Sequence, residues 1–159
     1  MTVPPARRLV LRADGAARGN PGPAAIGVVL VDAAAPGAMA PDAEALATIS
    51  EALGRTTNNV AEYTAVLRGL ELARELGARE VDLLLDSQLV VEQLLGRWRV
   101  RDPKLVPLWT ATRRALAGFE RWSARHVRRA ENRAADALAN AALDRVARGG
   151  PASVVRRPE

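Results

Sequence analysis

Residues Leu9–Asp32, LVLRADGAARGNPGPAAIGVVLVD, decide the architecture. A strand-like run near Arg8–Asp14 and a second near Ala24–Asp32 flank a turn rich in Gly and Pro, residues that supply the dihedrals of a tight reversal. The stretch reads as a β-hairpin whose first strand ends on an acid, Asp14. A Pro/Gly/Ala loop, AAAPGAMAPDA, follows, and a third strand near Glu44–Leu53 completes an antiparallel meander.

Beyond the meander the order becomes mixed α/β. Tyr63, Val66, Leu67, Leu70 and Ala73 fall at helical spacing and predict a helix from about Asn59 to Gly77, with Asn58 as its N-cap. The apolar run Glu80–Asp86 predicts a buried strand. A short helix near Gln88–Leu95, a helix near Leu105–Ala117, a fifth strand near Arg121–Val127 and a helix over Asn132–Ala147 complete the pattern. The expected fold is therefore α/β, a five-stranded mixed sheet flanked by helices. Residues 1–147 form one domain in this reading, with 148–159 as a flexible tail.

Composition narrows the function classes. The chain has 159 residues, no cysteine, one histidine (His126) and a net charge of +5. Disulfides are excluded, and a zinc site of the Cys/His type has too few ligands. The N-terminal stretch MTVPPARRLVLRADG lacks the apolar run of a secretory signal, and nothing approaches the roughly 20 apolar residues of a membrane span, so a cytoplasmic location is expected. Positive charge, nearly all from arginine, permits phosphate binding, but an Arg- and Ala-rich genome would give the same composition.

The acids carry the chemistry. Asp14, Glu62, Asp86 and Asp136 stand at junctions of the expected strands and helices, each in its own short motif: DGAARGNPGP, TTNNVAEY, LLLDSQ and ENRAADALAN. Two unit charges about 4 Å apart repel by roughly 4 kcal/mol at an effective dielectric near 20. Four converging carboxylates therefore need protons or cations. Mg²⁺ is held by a few carboxylates together with water and substrate phosphate. Two such ions about 3.5–4 Å apart suit phosphodiester hydrolysis. Glu71, Glu75, Glu80, Asp82 and Glu92 read instead as surface charges or ion-pair partners.

In order, DGAARGNPGPAAIGVVL, TTNNVAEYTAVLRGLELA, LLLDSQLVVEQLLG and ENRAADALANAAL resemble the four signature regions of type 1 ribonuclease H, in its compact form without a basic protrusion. The resemblance runs from about Arg8 to Val146. It implies an endoribonuclease that cuts the RNA strand of RNA/DNA hybrids with two Mg²⁺ ions (Mn²⁺ substituting), leaves 5′-phosphate and 3′-hydroxyl ends, and works as a monomer. Asp14 would bridge both metals, Asp136 would help hold the metal that activates water, and Glu62 and Asp86 would hold the metal at the leaving oxygen. Gly15, Gly19, Asn20, Asn58, Asn59 and Gln88 are implied minor-groove contacts, where the 2′-hydroxyl distinguishes RNA from DNA. Thr57 is implied as a DNA-phosphate contact. By themselves, the glycine-rich turn and TTNN read as a hairpin and a helix start.

The resemblance also sets Arg129 against His126. Larger members carry a histidine on a loop before the last helix. Here HVRRAEN leaves a very short connection, so His126 is assigned to the strand. In the compact members an arginine takes the loop position, and the resemblance implies Arg129 there, with Arg128 next, where a guanidinium holds phosphate without relaying protons. The lysine-rich insertion of many members is missing; Arg97, Trp98, Arg99 and Arg101 offer a small substitute, or Trp98 packs on the core edge. Trp109 and Trp122 are expected in the core. Two alternatives remain open at this point, a non-catalytic hybrid-binding module and a related nuclease or integrase of the same fold.

Overall fold

The computed structural model describes residues 8–159; residues 1–7 of the expected domain lie outside the described residues. The chain runs β1 (Arg8–Ala17), β2 (Gly22–Asp32), β3 (Ala47–Thr56), α1 (Asn58–Glu75), β4 (Glu80–Leu85), α2 (Gln88–Leu94), α3 (Val106–Ala117), β5 (Arg121–His126), a 3₁₀ turn (Arg129–Asn132), α4 (Arg133–Ala147) and β6 (Ser153–Arg156). The strands form one sheet in the order β5-β4-β1-β2-β3-β6. β1 pairs antiparallel with β2 and parallel with β4, so it is central. No helix among the described residues is long and apolar enough to cross a membrane.

Alternation along β1 divides the core. Leu9, Leu11 and Ala13 pack with Tyr63, Val66 and Leu70 of α1, Leu94 of α2 and Leu116 of α3. Val10, on the opposite face, packs with Val29, Val31, Leu84, Val127 and Ala135, under α4. Every second side chain of a strand points to the same face, and both faces of this central strand are covered by helices.

Two expectations are corrected. The sheet has six strands rather than five, because part of the expected flexible tail pairs antiparallel with β3: Thr48 opposes Arg156, and Glu51 opposes Ser153. The meander leaves the outer edge of β3 with unpaired backbone groups, a condition sheets relieve by adding or covering a strand. Arg145 steers the tail there, donating from Nε to the Pro151 carbonyl (2.7 Å) and from Nη2 to the Ser50 carbonyl (2.8 Å). The cap of α1 is Thr57, whose hydroxyl accepts from the Val60 N–H, and not Asn58.

Two glycines bring helices onto the sheet. A Cβ on Gly15 would lie 2.2 Å from the Ala61 carbonyl carbon of α1, and one on Gly27 would lie 1.9 Å from the Ala135 carbonyl oxygen of α4. Gly27 is the register partner of Asp14. Both close approaches thus occur beside the same acid. Gly27→Ala should push α4 off the sheet and cost about 1–3 kcal/mol, as overpacking does. The denaturant midpoint of the variant measures this, and an unchanged midpoint would show that α4 does not rest on Gly27.

Candidate active site

Asp14 and Asp86 come together because β1 and β4 are parallel neighbours. Ala13 is paired with Leu85, so the next residue of each chain segment is the acid. Ser87 then starts α2, its hydroxyl accepting from the Val90 N–H, and turns the chain away just past Asp86. Glu62 arrives from the second turn of α1, held against Gly15. Asp136 stands in the first turn of α4, one residue past the Gly27 contact.

One carboxylate oxygen from each of Asp14, Glu62 and Asp86 lies within 4.8 Å of the other two. Asp136 is outside that trio but beside Asp14, with which it shares a hydrogen-bonding interaction. Burial, then the charge of Asp86 and the contact with Asp136, push the Asp14 carboxyl up to about 7. Burial and the charges of Asp14 and Asp86 hold the Glu62 carboxyl well above its ordinary value, opposed by a hydrogen bond from the Gly15 backbone. The five acids read as ordinary surface charges are indeed each paired with an arginine: Glu71 with Arg68, Glu75 with Arg157, Glu80 with Arg121, Asp82 with Arg8 and Glu92 with Arg97.

This donor set fits a hard divalent cation. It offers clustered carboxylate oxygens with no sulfur or imidazole in the trio, the ligand chemistry Mg²⁺ and Mn²⁺ take up. Asp14 and Glu62 are held at raised proton affinities that a cation would relieve.

The remaining expected site residues divide into those in the cleft and those beside it. Gly15, Asn58, Asn59 and Arg129 line the cleft together with the trio. Asn20 and Asn58 are also tied into the framework. The Asn20 side-chain oxygen accepts from the Asn58 N–H (3.1 Å), and the Asn58 side-chain oxygen accepts from the Ala17 N–H (2.9 Å). Together they pin the β1–β2 turn to the start of α1. Gly19, exposed at φ +95°, serves the turn conformation. Thr57 uses its hydroxyl as the helix cap, and Gln88 is exposed at the first position of α2. His126 ends β5, as expected, with Nε2 3.2 Å from the Asp86 carbonyl oxygen. Trp98 is exposed, and Trp109 and Trp122 are only partly buried, packed against the core margin.

Asn132 completes the frame. Almost fully buried, it donates from Nδ2 to the Ala13 carbonyl (2.8 Å) and lies 3.4 Å from Asp86 Oδ1. The sequence places it one helical turn before Asp136; its bond to β1 is visible only in three dimensions. Ser87, also in the cleft, follows from the Asp-Ser-Gln motif as a helix cap.

Residues 12–142 match the family model described as reverse transcriptase-like. Ribonuclease HI of Halobacterium salinarum is 48% identical over 131 residues, which cover 82% of this chain and 62% of that protein. The N-terminal RNase H domain of Rv2228c from Mycobacterium tuberculosis superposes with a TM-score of 0.79 at 44% identity, over 86% of this chain and 99% of that one. LC11-RNase H1, solved in complex with an RNA/DNA hybrid, gives a TM-score of 0.78 at 35% identity, over 87% and 99%. The chain spans less than two thirds of the curated Halobacterium relative, and matches 38% of the full-length mycobacterial protein.

The carboxylate cluster makes stability depend on pH and metal. Asp14 and Glu62 take up protons more readily folded than unfolded, so the folded state is favoured at low pH and loses that advantage as pH rises. For Asp14 the loss spans the interval from its unfolded value, about 3.9, to about 7. Metal-free protein should melt at progressively lower temperature from pH 5 to pH 8, and Asp14→Asn should flatten that slope. At pH 8, Mg²⁺ or Mn²⁺ at 100 times its Kd should restore about 2.7 kcal/mol in the wild type. A metal-free melting temperature that is constant across pH 5–8 would contradict the clustering.

Proposed function

Since the chain belongs to the type 1 ribonuclease H family, we propose that it is an endonuclease that hydrolyses the RNA strand of RNA/DNA hybrids, using Mg²⁺ held by Asp14, Glu62, Asp86 and Asp136. The observation that carries this reading is the convergence of Asp14, Glu62 and Asp86 within 4.8 Å, with Asp136 beside Asp14. A module that only bound hybrids would have no use for buried acids held so far from their ordinary ionisation. The complex of LC11-RNase H1 with an RNA/DNA hybrid supports the substrate class.

Each part of the cleft has a task that its chemistry suits. The acids supply hard oxygen ligands on four different elements, so the protein frame sets their spacing. Bound Mg²⁺ supplies activation of water and stabilisation of charge at the leaving oxygen, and the products carry 5′-phosphate and 3′-hydroxyl ends. Asn58 and Asn59, at the start of α1, face the cleft with amide groups able to bond 2′-hydroxyls and base edges. Gly15 exposes backbone there, while Asn20 holds the N–H of Asn58 in place. Gly19 and Gln88, outside the cleft lining, serve in this reading as further hybrid contacts, and Thr57, which caps α1, as a DNA-phosphate contact. Arg129, across the cleft, holds a phosphate with a planar fork of donors. His126 stays structural, its ring against the Asp86 carbonyl.

End-labelled RNA/DNA hybrid, duplex RNA and duplex DNA, each incubated with and without Mg²⁺, test the activity: only the hybrid should be cut, only in its RNA strand and only with metal. Cleavage of duplex DNA at a comparable rate would assign the chain to another nuclease class. Arg129→Ala should lower turnover by about 100-fold, the lower end of what removing one preorganised donor costs, and by a constant ratio from pH 6 to 9, since a guanidinium that holds phosphate relays no proton. His126→Ala should chiefly lower the melting temperature. Loss of most activity in His126→Ala at unchanged melting temperature would exchange the two roles.

A further inference from the structure

Arg12 interrupts the apolar run of β1 and is only 3% exposed. Its strand neighbours are Val29 and Leu84, and both belong to the cluster under α4. Among the described residues no carboxylate bonds it. Nη1 donates to the Glu131 carbonyl and Nη2 to the Met39 carbonyl, both at 2.7 Å, and Nε has no partner. Burial lowers its proton affinity, the charge of Glu131 opposes that effect, and Arg125 adds to it. An apolar side chain could fill such a site without desolvating a charge, and exchanges of that kind are often neutral or stabilising. The arginine therefore makes poor sense as core filling.

Its two acceptors explain it better. Met39 lies in the β2–β3 connection, and Glu131 lies in the 3₁₀ turn between β5 and α4. That turn carries Arg129 at one end and Asn132 at the other, and no side chain caps it. Asn132 ties its far end to the Ala13 carbonyl. Glu131, in the middle, is tied by Arg12 to the adjacent position of the same strand. Residues 12 and 13 of β1 thus fix the turn at two successive points. The Arg129 end is braced by the Glu131 N–H, which donates to the Arg128 carbonyl at 2.9 Å, and by the exposed pair Arg128–Glu131 at 3.6 Å.

We propose that Arg12 is a positioning residue: it clamps the turn carrying Arg129 to the central strand, with the β2–β3 connection as its second anchor, and so sets where Arg129 stands in the cleft. This rests on the nuclease reading for its effect on turnover, but the clamp itself can be tested without activity. Arg12→Met removes both bonds while keeping an unbranched side chain. In metal-free protein, amides 129–133 should exchange with deuterium about tenfold faster than in the wild type, as expected for a segment released to local opening. Turnover on hybrid should fall about tenfold. In an Arg129→Ala background the same change should cost less than about twofold, because residues acting through one another are non-additive.

If the wild type does not cut hybrid, the nuclease reading fails while the exchange comparison still decides the clamp. Wild-type exchange at 129–133 in Arg12→Met overturns the clamp. Losses that multiply in the double variant overturn its action through Arg129. Should Arg12→Met not fold, Arg12→Lys serves, since one ammonium lacks the planar fork that reaches both carbonyls. It should also speed exchange and lower turnover, and wild-type behaviour in both would overturn the proposal.

Discussion

Everything at the site follows from like charges being brought together in a place with little water. The approach is made by backbone, not by side chains. Gly15 lets α1 touch β1, Gly27 lets α4 touch β2, and the two contacts flank Asp14 from neighbouring strands. Side chains at those positions would hold the helices away, and Glu62 and Asp136 with them. The parallel pairing of β1 and β4 delivers Asp86 independently of either helix. The site therefore depends on a sheet whose central strand is covered closely on both faces.

That arrangement works against stability in the metal-free protein. Burial and mutual repulsion raise the proton affinity of Asp14 and Glu62, and among the described residues no arginine is ion-paired with them as one is with each of Glu71, Glu75, Glu80, Asp82 and Glu92. Other arginines hold structure rather than acids: Arg145 ties the tail strand beside β3, and Arg12 holds a turn. Buried charge is retained in two forms, an acidic cluster that a cation would relieve and a guanidinium satisfied by carbonyls. Ordinary packing accounts for neither.

Most of this was legible in the sequence because the four acids sit in separate local motifs that occur in one order, although the glycine-rich turn and TTNN by themselves read only as a hairpin and a helix start. Strand and helix order followed from period and punctuation, and the five acids read as surface charges or ion-pair partners do each pair with an arginine. What escaped was nonlocal. The strand Ser153–Arg156 has no strong signal of its own; it forms because β3 has an open edge and Arg145 holds the chain beside it. Thr57 and Asn58 are both good caps, and the choice between them depends on Asn58 being needed by Ala17. Nothing local marks Arg12 as more than one polar residue in a strand, and its partners lie 27 and 119 residues away.

The most direct measurement is calorimetric titration of Mn²⁺ into the protein at pH 7 in two buffers of different ionisation enthalpy. If Asp14 and Glu62 are protonated by mutual crowding and a cation displaces those protons, binding will saturate and the apparent heat will differ between buffers by an amount that reports proton release. The same titration of Asp14→Asn will show weaker binding with less release. Heats that are identical in both buffers, or binding that survives Asp14→Asn unchanged, would contradict the account that these acids form one cation-binding cluster.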